Sequence, residues 1–139
     1  MADLAERVLD LVREVMADQG DVGIYDGKLP AVASRPKRMV LVHVPPGRRE
    51  AGTVGGQSDR RHLSWQVTCI STAKDPQGLP HAAWEARWLA ARIRDHLVTR
   101  RLAPTGSLIR HTLSARSGEA DLTVSSQAAE IYDQYEAHA

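Results

Sequence analysis

Phenylalanine and asparagine are absent from this chain, and cysteine occurs once. The lone Cys69 excludes an intramolecular disulfide framework and any cysteine-rich zinc site. Aromatic residues fill only 4% of the 139 positions, so a core must rest on Leu, Val, Ile, Ala and three tryptophans. An excess of one charge is missing too. The 18 Lys+Arg against 17 Asp+Glu leave +1, which gives no global pull towards nucleic acid or a membrane surface. No run approaches the ~18 apolar residues that a bilayer span requires. The start, MADLAERVLD, alternates acidic and apolar residues and does not fit a signal peptide. The expectation is a cytoplasmic chain with no membrane contact.

What is present fits one ordinary soluble domain: 42% hydrophobic and 25% charged residues. A chain of this size can bury roughly 70% of its unfolded surface, enough for a core without metal or disulfide. Residues 1–139 therefore read as a single domain. Fifteen Arg against three Lys, nineteen Ala, and no Asn or Phe match the codons of a GC-rich genome, bacterial or phage.

Leu4, Val8, Leu11, Val12 and Val15 recur at spacings of three and four, which predicts a helix over 4–19. Asp3 is placed as its N-cap with Glu6 three residues on, and Gly20 follows the last turn. Val22–Tyr25 is a short apolar piece closed by Asp26-Gly27, a turn signal. Arg38–Val44 is a nearly continuous aliphatic run stopped by Pro45-Pro46, and reads as a buried strand. Leu63–Ser71 alternates, with Leu63, Trp65, Val67 and Cys69 on one side, and the two runs predict a long-armed hairpin. Between them, residues 45–61 are polar and glycine-rich, and the expectation is a long mobile loop, centred on Gly47–Ser58. A second helix is expected from Pro80 to Thr99, with Ala82, Ala86, Leu89, Ile93 and Leu97 facing the core. Leu108–Ala115 and Ala129–Ala137 are further strand candidates, although the last could be helical on propensity alone. The order α-β-β-β-α-β-β predicts an α+β fold: two helices packed on one face of a mostly antiparallel four- to five-stranded sheet.

The motifs of common catalytic sites are missing. No phosphate-binding loop, dinucleotide fingerprint or zinc-protease helix occurs, and no Gly-x-Ser-x-Gly supports a nucleophilic serine. The six histidines show no helical pairing at four residues that would suggest zinc. Cys69 alternates onto an apolar strand side and reads as a small buried hydrophobe. No catalytic residue, metal or cofactor is expected.

Two constellations remain as interface candidates. Arg48, Arg49, Arg60 and Arg61 flank the long loop, beside Glu50 and Asp59. They are either a solvated loop or a charged arm that orders on a protein partner. No aromatic residue interleaves with them, which weakens a nucleic-acid reading. Trp84 and Trp88 fall roughly 140–200° from the apolar centre of the second helix, at ~100° per residue. Either that helix is sandwiched within its own domain, or the two tryptophans dock on another subunit.

The element order and several segments resemble the tail terminator (tail-completion, lambda protein U-like) proteins of long-tailed phages, especially those of high-GC actinobacterial hosts. The pieces are the N-terminal amphipathic helix, then Ile24-Tyr25-Asp26-Gly27-Lys28-Leu29-Pro30, then the strand Met39–Val44. Asp59 at a loop end precedes Trp65-Gln66-Val67-Thr68-Cys69, and Ala83-Trp84-Glu85-Ala86-Arg87-Trp88-Leu89 follows. Ile131-Tyr132-Asp133-Gln134-Tyr135-Glu136 is similar to the family's closing strand. The resemblance implies a virion structural protein, assembled in the host cytoplasm, that acts by shape without turnover. Copies would form a homo-oligomeric ring, a hexamer, at the head-proximal end of the tail. That ring would stop polymerisation of the tail tube protein and present a surface to the neck or connector protein. No sequence-specific nucleic acid is among the implied partners. A neck or head-closure connector is the nearest alternative, and a small host ligand-binding module the more distant one.

Overall fold

The computed structural model describes residues 4–45, 48–49, 61–117 and 127–139. The chain opens with helix α1 (Leu4–Val15), and a turn over 16–18 ends it short of the expected 19. Asp3 and the Gly47–Ser58 loop, Arg48–Arg49 apart, lie outside the described residues. Val8, Leu11 and Val12 are buried as the spacing requires, and Leu9 joins them, so the apolar face is one residue wider than the stripe. Arg13 bridges Glu6 and Asp10 on the wet side.

Strand β1 (Val22–Asp26) then pairs in parallel with β2 (Arg38–His43), the one parallel contact in an otherwise antiparallel sheet. Gly27, at φ 71°, makes the turn after β1, and its N–H donates to the Val42 carbonyl at 2.8 Å. That left-handed backbone is why the Asp26-Gly27 pair punctuates the chain here. A two-residue strand β3 (Arg48–Arg49) and β2 both pair with the long strand β4 (Arg61–Ala73), which starts two residues earlier than the alternation suggests. Helix α2 (Leu79–Leu97) follows, with proline in its first turn, where a missing N–H leaves no bond unmade. Strands β5 (Arg110–Ser117) and β6 (Gln127–His138) complete the sheet, in the order β1-β2-β4-β6-β5. The fold is α+β, two helices packed on an open, mostly antiparallel five-stranded sheet, with β3 as a short extra pairing on β4.

The core lies between helices and sheet. β4 sends Leu63, Trp65, Val67 and Cys69 into it, and the partners of Leu63, Trp65 and Cys69 on β6 (Ala137, Tyr135 and Ile131) are buried beside them. α2 contributes Ala82, Ala86, Leu89, Ile93 and Leu97. The closing segment, open between helix and strand on propensity, is a strand because its odd positions pack against β4 while its even ones face away. Met39 and Ile70, paired in register on the far face, are buried apart from this cluster.

Candidate functional site

The two tryptophans of α2 part company. Trp88 is half-buried against the margin of the core, with the Arg92 guanidinium 5.1 Å from its ring centroid. Arg92 also holds Asp18 beyond the end of α1, at 2.6 Å, so Trp88 is part of the helix–helix seam. Trp84 instead stands 56% exposed, the more exposed of two large hydrophobic side chains open to solvent among the described residues.

Trp84 is exposed but held. Its ring stacks on His81, with centroids 6.0 Å apart and planes at 12°. His81 Nε2 sits 2.8 Å from Glu85 Oε1, one turn along the same helix face. Glu85 Oε2 in turn accepts a 2.7 Å hydrogen bond from the Ser71 hydroxyl, and Lys37 Nζ lies 3.4 Å from Oε1. Burial raises the Glu85 carboxyl, but the Ser71 hydrogen bond, Lys37 and His81 outweigh it, and the group titrates below the ordinary glutamate range. Ser71 is fully buried in β4. A line of contacts thus runs from the sheet interior through Glu85 and His81 to an indole at the surface. An apolar side chain fixed in this way loses little rotamer freedom when a partner covers it.

The four arginines lie at one end of the sheet, where they are described at all. Arg48 is in register with His62 and Arg49 with Arg61, while Arg60 lies outside the described residues. At the same end, on the sheet face turned from the helices, a groove of ≈ 520 Å³ is lined by His43, His62, Ser64, Gln66, Gln134 and Glu136 among others. Glu136 bridges His62 Nε2, at 3.1 Å, and Arg110. The His62 hydrogen bond first, and Arg110 after it, hold this carboxyl below its usual range against the opposing effect of burial.

On the helix side, Asp133 is 1% exposed and bonded to His111 Nε2 at 2.9 Å, with Tyr135 stacked on Trp65 at 6.0 Å beside it. Burial, with Asp133 nearby, pushes the Cys69 thiol and the Tyr135 phenol far up, so both stay protonated. A sealed thiol is a packing group, not a nucleophile. Among the described residues, no three His, Cys, Asp or Glu side chains gather as a metal site. No described helix is long and apolar enough to cross a membrane.

Sequence reading found Trp84 but missed the side chains that hold it. The i,i+4 spacing of His81 and Glu85 is a signal that could have pointed to them. The Gln66–Gln134 pair in the groove had no such signal, because it depends on the β4–β6 register. Neither protein-family models nor curated protein sequences give a match to this chain.

Proposed function

We propose that the chain is a tail terminator subunit: copies close into a ring, six by the resemblance, on the last ring of a phage tail tube. The ring stops tube growth and offers the neck protein its docking surface, working by shape and without catalysis. The observation that carries this reading is Trp84, an exposed indole stacked on His81, itself bonded to Glu85, on the side of α2 turned from the sheet. Rigid aromatic anchors are common centres of protein interfaces, and rings arise when such a patch meets an unlike patch on the next copy. The sequence resemblance supplies the identity of the assembly.

Two measurements test it. Sedimentation velocity at matched concentrations should show wild type as a closed oligomer and Trp84→Ala shifted to monomer. Electron microscopy of particles lacking the protein should show overlong tubes. Headless tails of normal, regulated length would instead assign a neck role, and a wild-type monomer at all concentrations would remove the ring. The groove over Gln66 and Gln134 favours a second reading, a small ligand-binding module. A soluble ligand that raises the melting temperature of wild type but not of Gln66→Leu would support that alternative.

A further inference from the structure

The sheet face turned from the helices carries a groove of ≈ 520 Å³ that the proposed contact through Trp84 leaves unused. Register sets its floor. His43, Gln66 and Gln134 stand in one row across β2, β4 and β6, and Ser64, Glu136 and Arg110 stand in the next across β4, β6 and β5. Neighbours within a row are ~4.8 Å apart and the rows ~6.8 Å apart, the spacings of a pleated sheet. The charges here are spent on one another. Glu136 Oε2 lies 3.1 Å from His62 Nε2, and its Oε1 is taken by Arg110. What remains is neutral and can both give and accept hydrogen bonds. Gln66 Nε2 donates to Thr68 Oγ1 at 3.2 Å, which leaves the amide oxygen and a second N–H. The Thr112 hydroxyl donates to the Gln134 carbonyl and keeps its lone pairs. The side chains of His43, Ser64 and Gln134 form no hydrogen bond among the described residues.

We infer that this groove binds a short neutral saccharide, with Gln66, Gln134, Ser64 and His43 as its hydrogen-bonding residues. The inference rests on the second reading above, that the groove is a ligand site, and names the class of its ligand. A sugar hydroxyl donates and accepts at one atom, which matches side chains that do both. A charged ligand would meet no free opposite charge among the described groove side chains, because Glu136, His62 and Arg110 already engage one another. An apolar ligand would strip water from these polar groups without replacing its bonds. An extended peptide takes its affinity from main-chain bonds at a sheet edge, whereas β4 and β6 are interior strands paired on both sides. The C–H face of a sugar ring also has apolar surface to rest on. Pro45 forms part of the wall. One row further along, Leu41 and Tyr132 stand partly exposed on the same face, on either side of Thr68. The volume falls within the range of about 300–1,000 Å³ usual for small-molecule sites.

The test titrates the full, isotope-labelled chain with maltotriose, cellotriose and chitotriose, and follows the side-chain N–H resonances of Gln66 and Gln134 by NMR. At least one of these sugars should saturate at millimolar concentration, moving those resonances while the backbone of α1 stays unshifted. Gln66→Leu and Gln134→Leu should each weaken that sugar about tenfold, the loss of one hydrogen bond to a polar ligand group. Arg87→Gln, exposed on α2, should bind like wild type. Thermal melts of each variant separate lost binding from lost folding. Tetraglycine and trigalacturonate, titrated in the same way, tell a wrong class from a wrong site. If either moves the two glutamine resonances while the neutral sugars do not, or binds more tightly than all of them, the saccharide is overturned and the ligand site stands. Silence from all five would overturn both. Wild-type affinity in both folded Leu variants would place the sugar elsewhere and overturn the inference.

Discussion

The two sides of α2 differ in what their residues are for. On the inner side Ala82, Ala86, Leu89, Ile93 and Leu97 are all at or below 1% exposure, and their sizes fit a helix lying close on a sheet. On the outer side Trp84 stands 56% exposed, and its ring stacks on His81, which is bonded to Glu85 and through it to Ser71. Burial fixes the inner side chains without help, because close packing leaves them one rotamer. An exposed ring has no such confinement and keeps one orientation only where neighbours impose it. His81, itself bonded to Glu85, which accepts from Ser71, does this for Trp84. The difference separates residues that make the fold from one that the fold presents.

Truncating the inner side is the strongest way to break this comparison. Leu89, fully buried, should cost about 2–5 kcal/mol as Leu89→Ala, read by chemical denaturation. Trp88→Ala should fall between Leu89→Ala and Trp84→Ala, since its ring is half-buried and covers the seam where Arg92 reaches Asp18. A Leu89→Ala cost near zero would mean that the helix does not lean on the sheet through this stripe.

Why the inner side was legible and the outer side only half so follows from the same physics. Helical spacing reports which residues share a face, and the core face of α2 came out residue by residue. The strand β4 was equally plain, since its alternation puts Trp65, Val67 and Cys69 on one side. β6 was obscured because a buried Asp133 interrupts the apolar alternation, and what makes it tolerable is His111 on β5, 22 residues away. The parallel pairing of β1 with β2 was equally hidden, because an apolar run does not record its direction relative to a neighbour. For the candidate site, the wheel placed both tryptophans off the core face but could not separate them. Trp88 is covered through Arg92 and Asp18, and that contact joins residues 74 apart. The arginines around the 45–61 segment were visible as a run, but the pairing of Arg48 with His62 and of Arg49 with Arg61 needed the sheet register.

A smaller effect sharpens the comparison by acting on the contacts behind Trp84. In the folded chain burial raises the Glu85 carboxyl, but the Ser71 hydrogen bond, Lys37 and His81 together hold it below the ordinary glutamate range. A carboxyl with a depressed folded pKa adds stability above its unfolded pKa, and that contribution disappears as pH falls through the folded value. Glu14, Asp18 and Asp21 are depressed too, through His96, Arg92 and Arg38 respectively, so acid should loosen the wild type generally. Glu85→Gln should cost about 1 kcal/mol near neutral pH, less than the full ~1.5–3 kcal/mol of a charged hydrogen bond because the amide oxygen can still accept from Ser71. The gap between variant and wild type should close as pH drops from about 5 towards 3. Urea melts at pH 7, 5 and 3 read this directly, and a gap that stays constant with pH would mean that the Glu85 charge contributes nothing to the fold.

The smallest expected effect on the fold is the most informative. Trp84→Ala removes a large ring, but one that is more than half in water and rests on His81 rather than on the core. Surface substitutions of this kind usually change stability by less than about 0.5 kcal/mol. His81 keeps its bond to Glu85 without the ring, so the helix surface beneath should stay as it is. The variant should therefore melt within a degree or two of wild type when both are dilute enough to be monomeric. At higher concentration the two should separate, because assembly stabilises only the chain that can assemble and makes its melting point depend on concentration. Measuring both melts over a hundredfold range of protein concentration distinguishes the cases. Parallel curves displaced by several degrees would place Trp84 with the inner side of α2 as a packing residue. Coincident curves at every concentration would leave its exposure without a role in self-association.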